Sequence, residues 1–187
     1  MDFSPTRLDI ASRIIGQFRR RPLVERAAAF FFANPLTGLT MDQNLTPGPE
    51  EIRVVFLAQP TDEEVSGIIS LYMEAGWWEP GADSAGLVKR LVAGSHCFAA
   101  AVMDRRIVGM ARAISDRASD AYIQDVTVRG ALRHRGVASM LISAVIDRLT
   151  GDGIGWIALV AERGTEVLYD RLGFFPMQGA VAMRLRS

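Results

Sequence analysis

An α/β fold, a mixed central sheet flanked by helices, is predicted from three features of this 187-residue chain. Between Asp125 and Leu149 the apolar period switches. β-Branched Val126, Thr127 and Val128 suit a buried strand, whereas Val137, Leu141, Ala144, Val145 and Leu149 recur at helical spacing. Upstream, the apolar segments His96–Met103 and Ile107–Ile114 are joined at Asp104-Arg105, a connection so tight that the two strands must be antiparallel. Downstream, Trp156–Val160 follows the long helix, so it pairs parallel to its predecessor through a right-handed crossover. Both kinds of neighbour in one sheet make it mixed, with helices on both faces.

The remaining elements follow in order. Residues 1–50 form a helical extension and linker. Leu8, Ile10, Ile14, Ile15 and Phe18 share a helical stripe ending in Arg19-Arg20-Arg21; a basic amphipathic pattern suits attachment to a membrane surface, but packing on the domain or on a second subunit is the commoner use and is preferred, so a homodimer is open. Leu39 to Glu50 is polar, with two prolines and a glycine, and reads as the linker. Residues 51–187 form the main domain. Ile52–Leu57 is its first strand, and Thr61-Asp62-Glu63-Glu64 is a capping box opening a helix that buries Val65, Ile68, Ile69 and Tyr72 and stops at Gly76. Leu87–Val92 is a second helix and Ala121–Val128 a central strand. Thr165–Leu172 is a short helix, and Phe174–Arg186 holds a last pair of strands around Gly179.

Bulk properties exclude several classes. A formal net charge of zero gives no global pull toward nucleic acid or an acidic membrane, so nucleic acid is not an expected partner. A single cysteine excludes an internal disulfide; Cys97 reads as a small core residue in a reducing cytoplasm. No apolar run approaches the length of a membrane span. At 49% hydrophobic residues, the chain can bury one full core with an appendage.

Chemistry is expected where the central strand becomes the long helix. Arg133, His134, Arg135 and Gly136 lie just ahead of the helix, whose first N–H groups have no intrahelical partners and carry partial positive charge. An anion, a phosphate foremost, is expected there. Gly136 lets the backbone approach a ligand, and small Ala138 and Ser139 keep the first turn uncrowded.

Arg133-His134-Arg135-Gly136-Val137-Ala138 fits the pattern Arg/Gln-x-x-Gly-x-Gly/Ala, and in this the chain resembles the GNAT superfamily of N-acetyltransferases. Leu168-Tyr169-Asp170-Arg171-Leu172-Gly173-Phe174 is similar to that family's second hallmark. Tyr122 to Val128 resembles the glucosamine-6-phosphate N-acetyltransferase branch, with Gln124 where that branch has the first of two acids. The resemblance implies a GNAT-like acyl-CoA fold, acetyl-CoA as co-substrate with no metal, and direct acetyl transfer to a small primary amine. The pyrophosphate would lie on the backbone of Arg133, His134, Arg135, Gly136, Val137 and Ala138. Pantetheine would pair with Val126, Thr127 and Val128 in a splay beside the Trp156 strand.

On the same resemblance, Trp77 and Trp78 stand where the family builds a wall of the acceptor pocket, although tryptophans beside Gly and Pro also serve as loop anchors. Gln124 lines the substrate and cannot take a full proton. Asp125 either accepts the amine's proton or only orients the loop and binds the amine. Tyr169 gives a proton to the departing thiolate, and Gly164 stands where many relatives carry an asparagine. A peptide N-terminus, an aminoacyl-tRNA acceptor, or a non-catalytic acyl-CoA sensor are the alternatives.

Overall fold

The structure is a computed structural model that describes residues 51–79, 81 and 83–185. The extension and linker expected over residues 1–50 lie outside the described residues. Strands β1 (Arg53–Phe56), β2 (Cys97–Met103), β3 (Arg106–Ser115), β4 (Asp120–Val128) and β5 (Trp156–Leu159) form one sheet in that order. The first four run antiparallel to their neighbours, and β5 lies parallel to β4. Four helices accompany them: α1 (Asp62–Glu74), α2 (Ser84–Gly94), α3 (Val137–Gly151) and the short α4 (Glu166–Asp170).

β2 explains why the sheet is covered on both sides. Its sequence, CFAAAVM, is apolar throughout, and Ala99, Ala100 and Ala101 are fully buried. Such a continuous apolar run suits a strand with no solvent face, and the small side chains let helices approach closely. Alternation then sends Ala99 and Ala101, with Ala111 and Ala113 of β3, toward Leu141, Ile142, Val145 and Leu149 of α3. Phe98, Ala100 and Met110 meet Val65, Ile68, Leu71 and Tyr72 of α1 and Val88 and Val92 of α2.

Local signals place the ends of these elements. Thr61 and Glu64 exchange reciprocal bonds, the Glu64 carboxylate accepting the Thr61 N–H at 2.8 Å and the Thr61 hydroxyl accepting the Glu64 N–H at 3.3 Å. Three acidic residues in the first turn further favour the N-terminus of α1. Asp104 and Arg105 both have positive φ, 48° and 64°, as a two-residue hairpin turn matching strand twist requires. No described helix is long and apolar enough to cross a membrane.

Two expectations need correction. Leu71 joins Val65, Ile68 and Tyr72 among the buried residues of α1, whereas Ile69 is only partly buried. Residues 174–185 form no strand pair, and Val181, Met183 and Leu185 are exposed. Their alternation satisfies a strand's period, but a period names faces and not a partner, and strands are held by cross-strand pairs. No ladder is made by this segment among the described residues.

Gly109 of β3 is the tightest contact under α3. A Cβ there would lie 3.1 Å from both Leu141 Cδ1 and the Thr127 carbonyl oxygen and 3.2 Å from Val128 Cγ2. Gly109→Ala should destabilise the domain by roughly 1–3 kcal/mol through overpacking. A lower urea midpoint at unchanged m-value is the expected result; an unshifted midpoint would show that α3 and β4 can part freely at this point.

Candidate active site

The site begins with an opening in the sheet. β5 pairs with β4 only over Asp120–Ile123, the last partners being Ile123 and Leu159, yet β4 continues to Val128. From Gln124 onward β4 therefore has no β5 partner, which leaves the backbone groups that face that edge open to an extended ligand.

A bulge on the other edge of β4 shapes the same stretch. Arg112 pairs with Gln124 and Met110 with Thr127, so Asp125 and Val126 together oppose Ala111. One extra residue in one strand is accommodated by local distortion, here at Asp125, whose φ is +55°. Aspartate tolerates this left-handed conformation better than most residues. Consecutive residues on a regular strand point to opposite faces. Across the bulge, Gln124 and Asp125 both reach Arg112: its Nη2 donates to Gln124 Oε1 at 2.7 Å, and its Nε donates to Asp125 Oδ2.

A second donor meets the same carboxylate. The Tyr72 hydroxyl, from α1, donates to Asp125 Oδ2 at 2.8 Å. Burial pushes the Tyr72 phenol well above its ordinary value, the Asp125 charge adds to this, and Arg112 partly opposes it. Tyr72 is thus a donor to an anionic partner. Its ring stacks on Trp78, centroids 4.1 Å apart, and meets Trp77 edge-on at 6.0 Å. Tyr72, Trp77, Trp78, Leu87, Leu91, Arg112 and Asp125 line an open pocket of about 260 Å³.

The anion loop lies at the far end of β4. His134 and Gly136 have φ of +60° and +82°, a turn geometry that directs successive N–H groups inward. The first intrahelical bond of α3 runs from Met140 N–H to the Gly136 carbonyl, 3.0 Å. Val137, Ala138 and Ser139 accordingly keep N–H groups without intrahelical partners, and glycine at the N-cap supplies no side chain to compete for them. Arg133, His134 and Arg135 are exposed, and Arg133 Nε donates back to the Val128 carbonyl at 3.1 Å, pinning the loop to the strand end.

Glu74 ties this loop to the helix that carries Tyr72. Its carboxylate accepts the Gly130 N–H at 2.6 Å and Arg129 Nη1 at 3.2 Å, while Arg129 Nη1 also reaches the Ser70 hydroxyl at 3.1 Å. A carboxylate in the last turn of a helix opposes the macrodipole. The donors from the loop's base offset that cost.

Tyr169 sits apart from this cluster. α4 follows the end of β5 at which the two strands separate, and Tyr169 packs with the apolar cluster on the α3 side of the sheet, edge-on to Phe174 at 6.0 Å. Gly173, at φ +91°, turns the chain so that Phe174 N–H bonds the Tyr169 carbonyl. Burial, and then the Glu162 charge, raise the Tyr169 phenol above its usual range.

The structure thus brings Trp77, Trp78, Gln124 and Asp125 to one place and sets Val126–Val128 beside the loop of residues 133–138. Tyr72 is the functional candidate missed in the sequence, where helical spacing marks it only as core. Arg112 stands out there only as a polar residue toward the end of an apolar strand. Asp116 closes the turn between β3 and β4. Its Oδ1 accepts the N–H groups of Ala118, Ser119 and Asp120, which hold its carboxyl below the usual range.

The sequence and the fold are similar to those of known proteins. The profile of the acetyltransferase (GNAT) family matches residues 68–174, more than half of the chain, and the chain belongs to that family of acyltransferases. Over 70 residues it is 40% identical to Histone acetyltransferase TAP1 of Glycine max, covering 37% of this chain and 30% of that protein. Over 71 residues it is 35% identical to GCN5-related N-acetyltransferase 2, chloroplastic, of Arabidopsis thaliana, covering 38% and 28%. The match thus spans less than a third of the length of these curated relatives.

Among solved structures, a probable acetyltransferase from Meticillin-resistant Staphylococcus aureus superposes with a TM-score of 0.62 at 16% identity, over 73% of this chain and 100% of that one. The aminoglycoside N-acetyltransferase AAC(6')-Iy in complex with CoA gives 0.60 at 18%, over 76% and 100%. These two likenesses concern the fold. The comparisons establish the superfamily and not the glucosamine-6-phosphate branch that the β4 segment resembles.

A side chain at Gly136 would have open space but a left-handed backbone, worth roughly 1–2 kcal/mol against an L-residue. Gly136→Val should therefore weaken coenzyme A binding by re-forming the loop. Calorimetric titration of the folded variant checks this, and an unaltered Kd would contradict the assignment of the loop.

Proposed function

We propose that the chain transfers an acetyl group from acetyl-CoA directly to a small primary amine, with Glu51–Ser187 as the catalytic unit in a cytoplasmic protein. The observation that carries this reading is the opening between β4 and β5, which lies between the anion loop and the aromatic cavity. Family membership supports it, and so does the superposition on a CoA-bound structure. The residues fit the co-substrate: unpaired N–H groups at the start of α3 suit a pyrophosphate, and the free β4 edge suits an amide-bearing arm. Acetyl-CoA supplies an activated thioester. Among the described residues no group of His, Cys, Asp or Glu is arranged to hold a metal ion.

The chain's own residues then divide the work. Asp125, held by Arg112 and Tyr72, presents a fixed carboxylate to the incoming ammonium. It draws the ammonium in and takes one proton from it, directly or through water, before the neutral nitrogen attacks; the second proton that the nitrogen sheds after attack balances the one Tyr169 gives to the thiolate. Backbone N–H groups of the β4 edge hold the carbonyl oxygen as negative charge builds on it. Tyr169, on the other side of the opening, gives its phenolic proton to the departing thiolate. A peptide acceptor is the second reading, favoured by the name of the Glycine max relative.

A free-thiol assay with a panel of amines tests the activity. Tyr169→Phe should lower kcat by about 10²–10⁴-fold with coenzyme A affinity unchanged. Because its pKa is raised, Tyr169 stays protonated through neutral and mildly alkaline pH, so its contribution to kcat should be lost only above about pH 10. Turnover by the variant equal to that of the parent would remove Tyr169 from the reaction.

A further inference from the structure

Resting on the acetyltransferase reading, the acceptor cavity specifies which kind of amine enters. We infer that it takes a monoamine with a compact apolar body, one ring or a branched alkyl group on a short linker. Five of the seven lining residues are aromatic or aliphatic: Tyr72, Trp77, Trp78, Leu87 and Leu91. Trp77 and Leu87 keep 40% and 37% of their surface exposed, so apolar surface faces solvent within the cavity wall. The Tyr72–Trp78 stack fixes one wall, with the two ring planes only 7° apart.

Volume narrows the class. A cavity of roughly 150 Å³ holds benzene, and drug-sized ligands occupy roughly 300–1,000 Å³. At about 260 Å³ this open pocket seats a ring plus a short chain.

Charge narrows it further. The charged groups lining the cavity are Asp125 and Arg112, and they are paired with each other. One ammonium can approach Asp125, but a second would meet no further carboxylate among the described lining residues and would lose its hydration against tryptophan and leucine. Sugar hydroxyls placed on those walls would likewise leave hydrogen bonds unmade. Polyamines and aminoglycosides are therefore disfavoured, because the apolar walls leave their further ammonium and hydroxyl groups without partners.

The test uses the full chain with acetyl-CoA and compares phenethylamine and isoamylamine with spermidine, glucosamine, kanamycin and a lysine-containing peptide in the thiol-release assay. In parallel, phenethylamine is titrated against tryptophan fluorescence without acetyl-CoA. The inference expects kcat/KM for the apolar monoamines to exceed the others by at least about 10-fold, the scale of one buried apolar group. Trp77→Ala should raise their KM by a similar factor with kcat retained, and Trp77→Phe should restore most of it. Preference for a polyamine, amino sugar or peptide would overturn the substrate class and leave the enzymatic reading intact. Fluorescence quenching without thiol release from any amine would uphold the pocket and overturn the acetyltransferase reading. Neither quenching nor release would overturn both.

Discussion

The Asp125 carboxylate, held at once by Arg112 of β3 and Tyr72 of α1, is the interaction on which the site depends. It fixes an extra residue in β4 against regular pairing with β3, at the level where β5 has already left the other edge. A bulged strand with one unpartnered edge is a liability in most sheets. Here the same free edge is what an extended thioester arm requires. Removing either donor would leave the other with a carboxylate no longer fixed, so the three groups act as a unit.

Packing carries that geometry outward. α1 buries Tyr72 through the same face that covers Phe98 and Met110, and its last turn grips the base of the anion loop through Glu74. The aromatic pocket and the loop of residues 133–138 are thus two ends of one helix-anchored assembly. Tyr169 belongs to the opposite cluster, with α3. On the function proposed, the split in the sheet is where groups from the two faces would act together.

Much of this was legible from local signals. The capping box at Thr61, the hairpin at Asp104-Arg105 and the period switch at Val137 each rest on short-range chemistry, and each element formed within a few residues of its expected bounds. Arg133–Ala138 was readable because a glycine-started helix is a local feature. The bulge at Asp125 was not readable, since it arises from the register between β3 and β4 and no glycine marks it. Tyr72 was hidden for a related reason: helical spacing assigns it to the core, where its ring does lie, and only the tertiary fold brings its hydroxyl to Asp125. The strand pair expected after Phe174 failed where alternation had to stand in for a pairing partner.

Amide hydrogen exchange with and without coenzyme A tests the central claim most directly. The account predicts slowed exchange at the β4 segment Val126–Val128 and across residues 134–139 once coenzyme A is bound, with little change in β1 or β2. Protection confined to other segments, with these amides exchanging as fast as in the free protein, would contradict it.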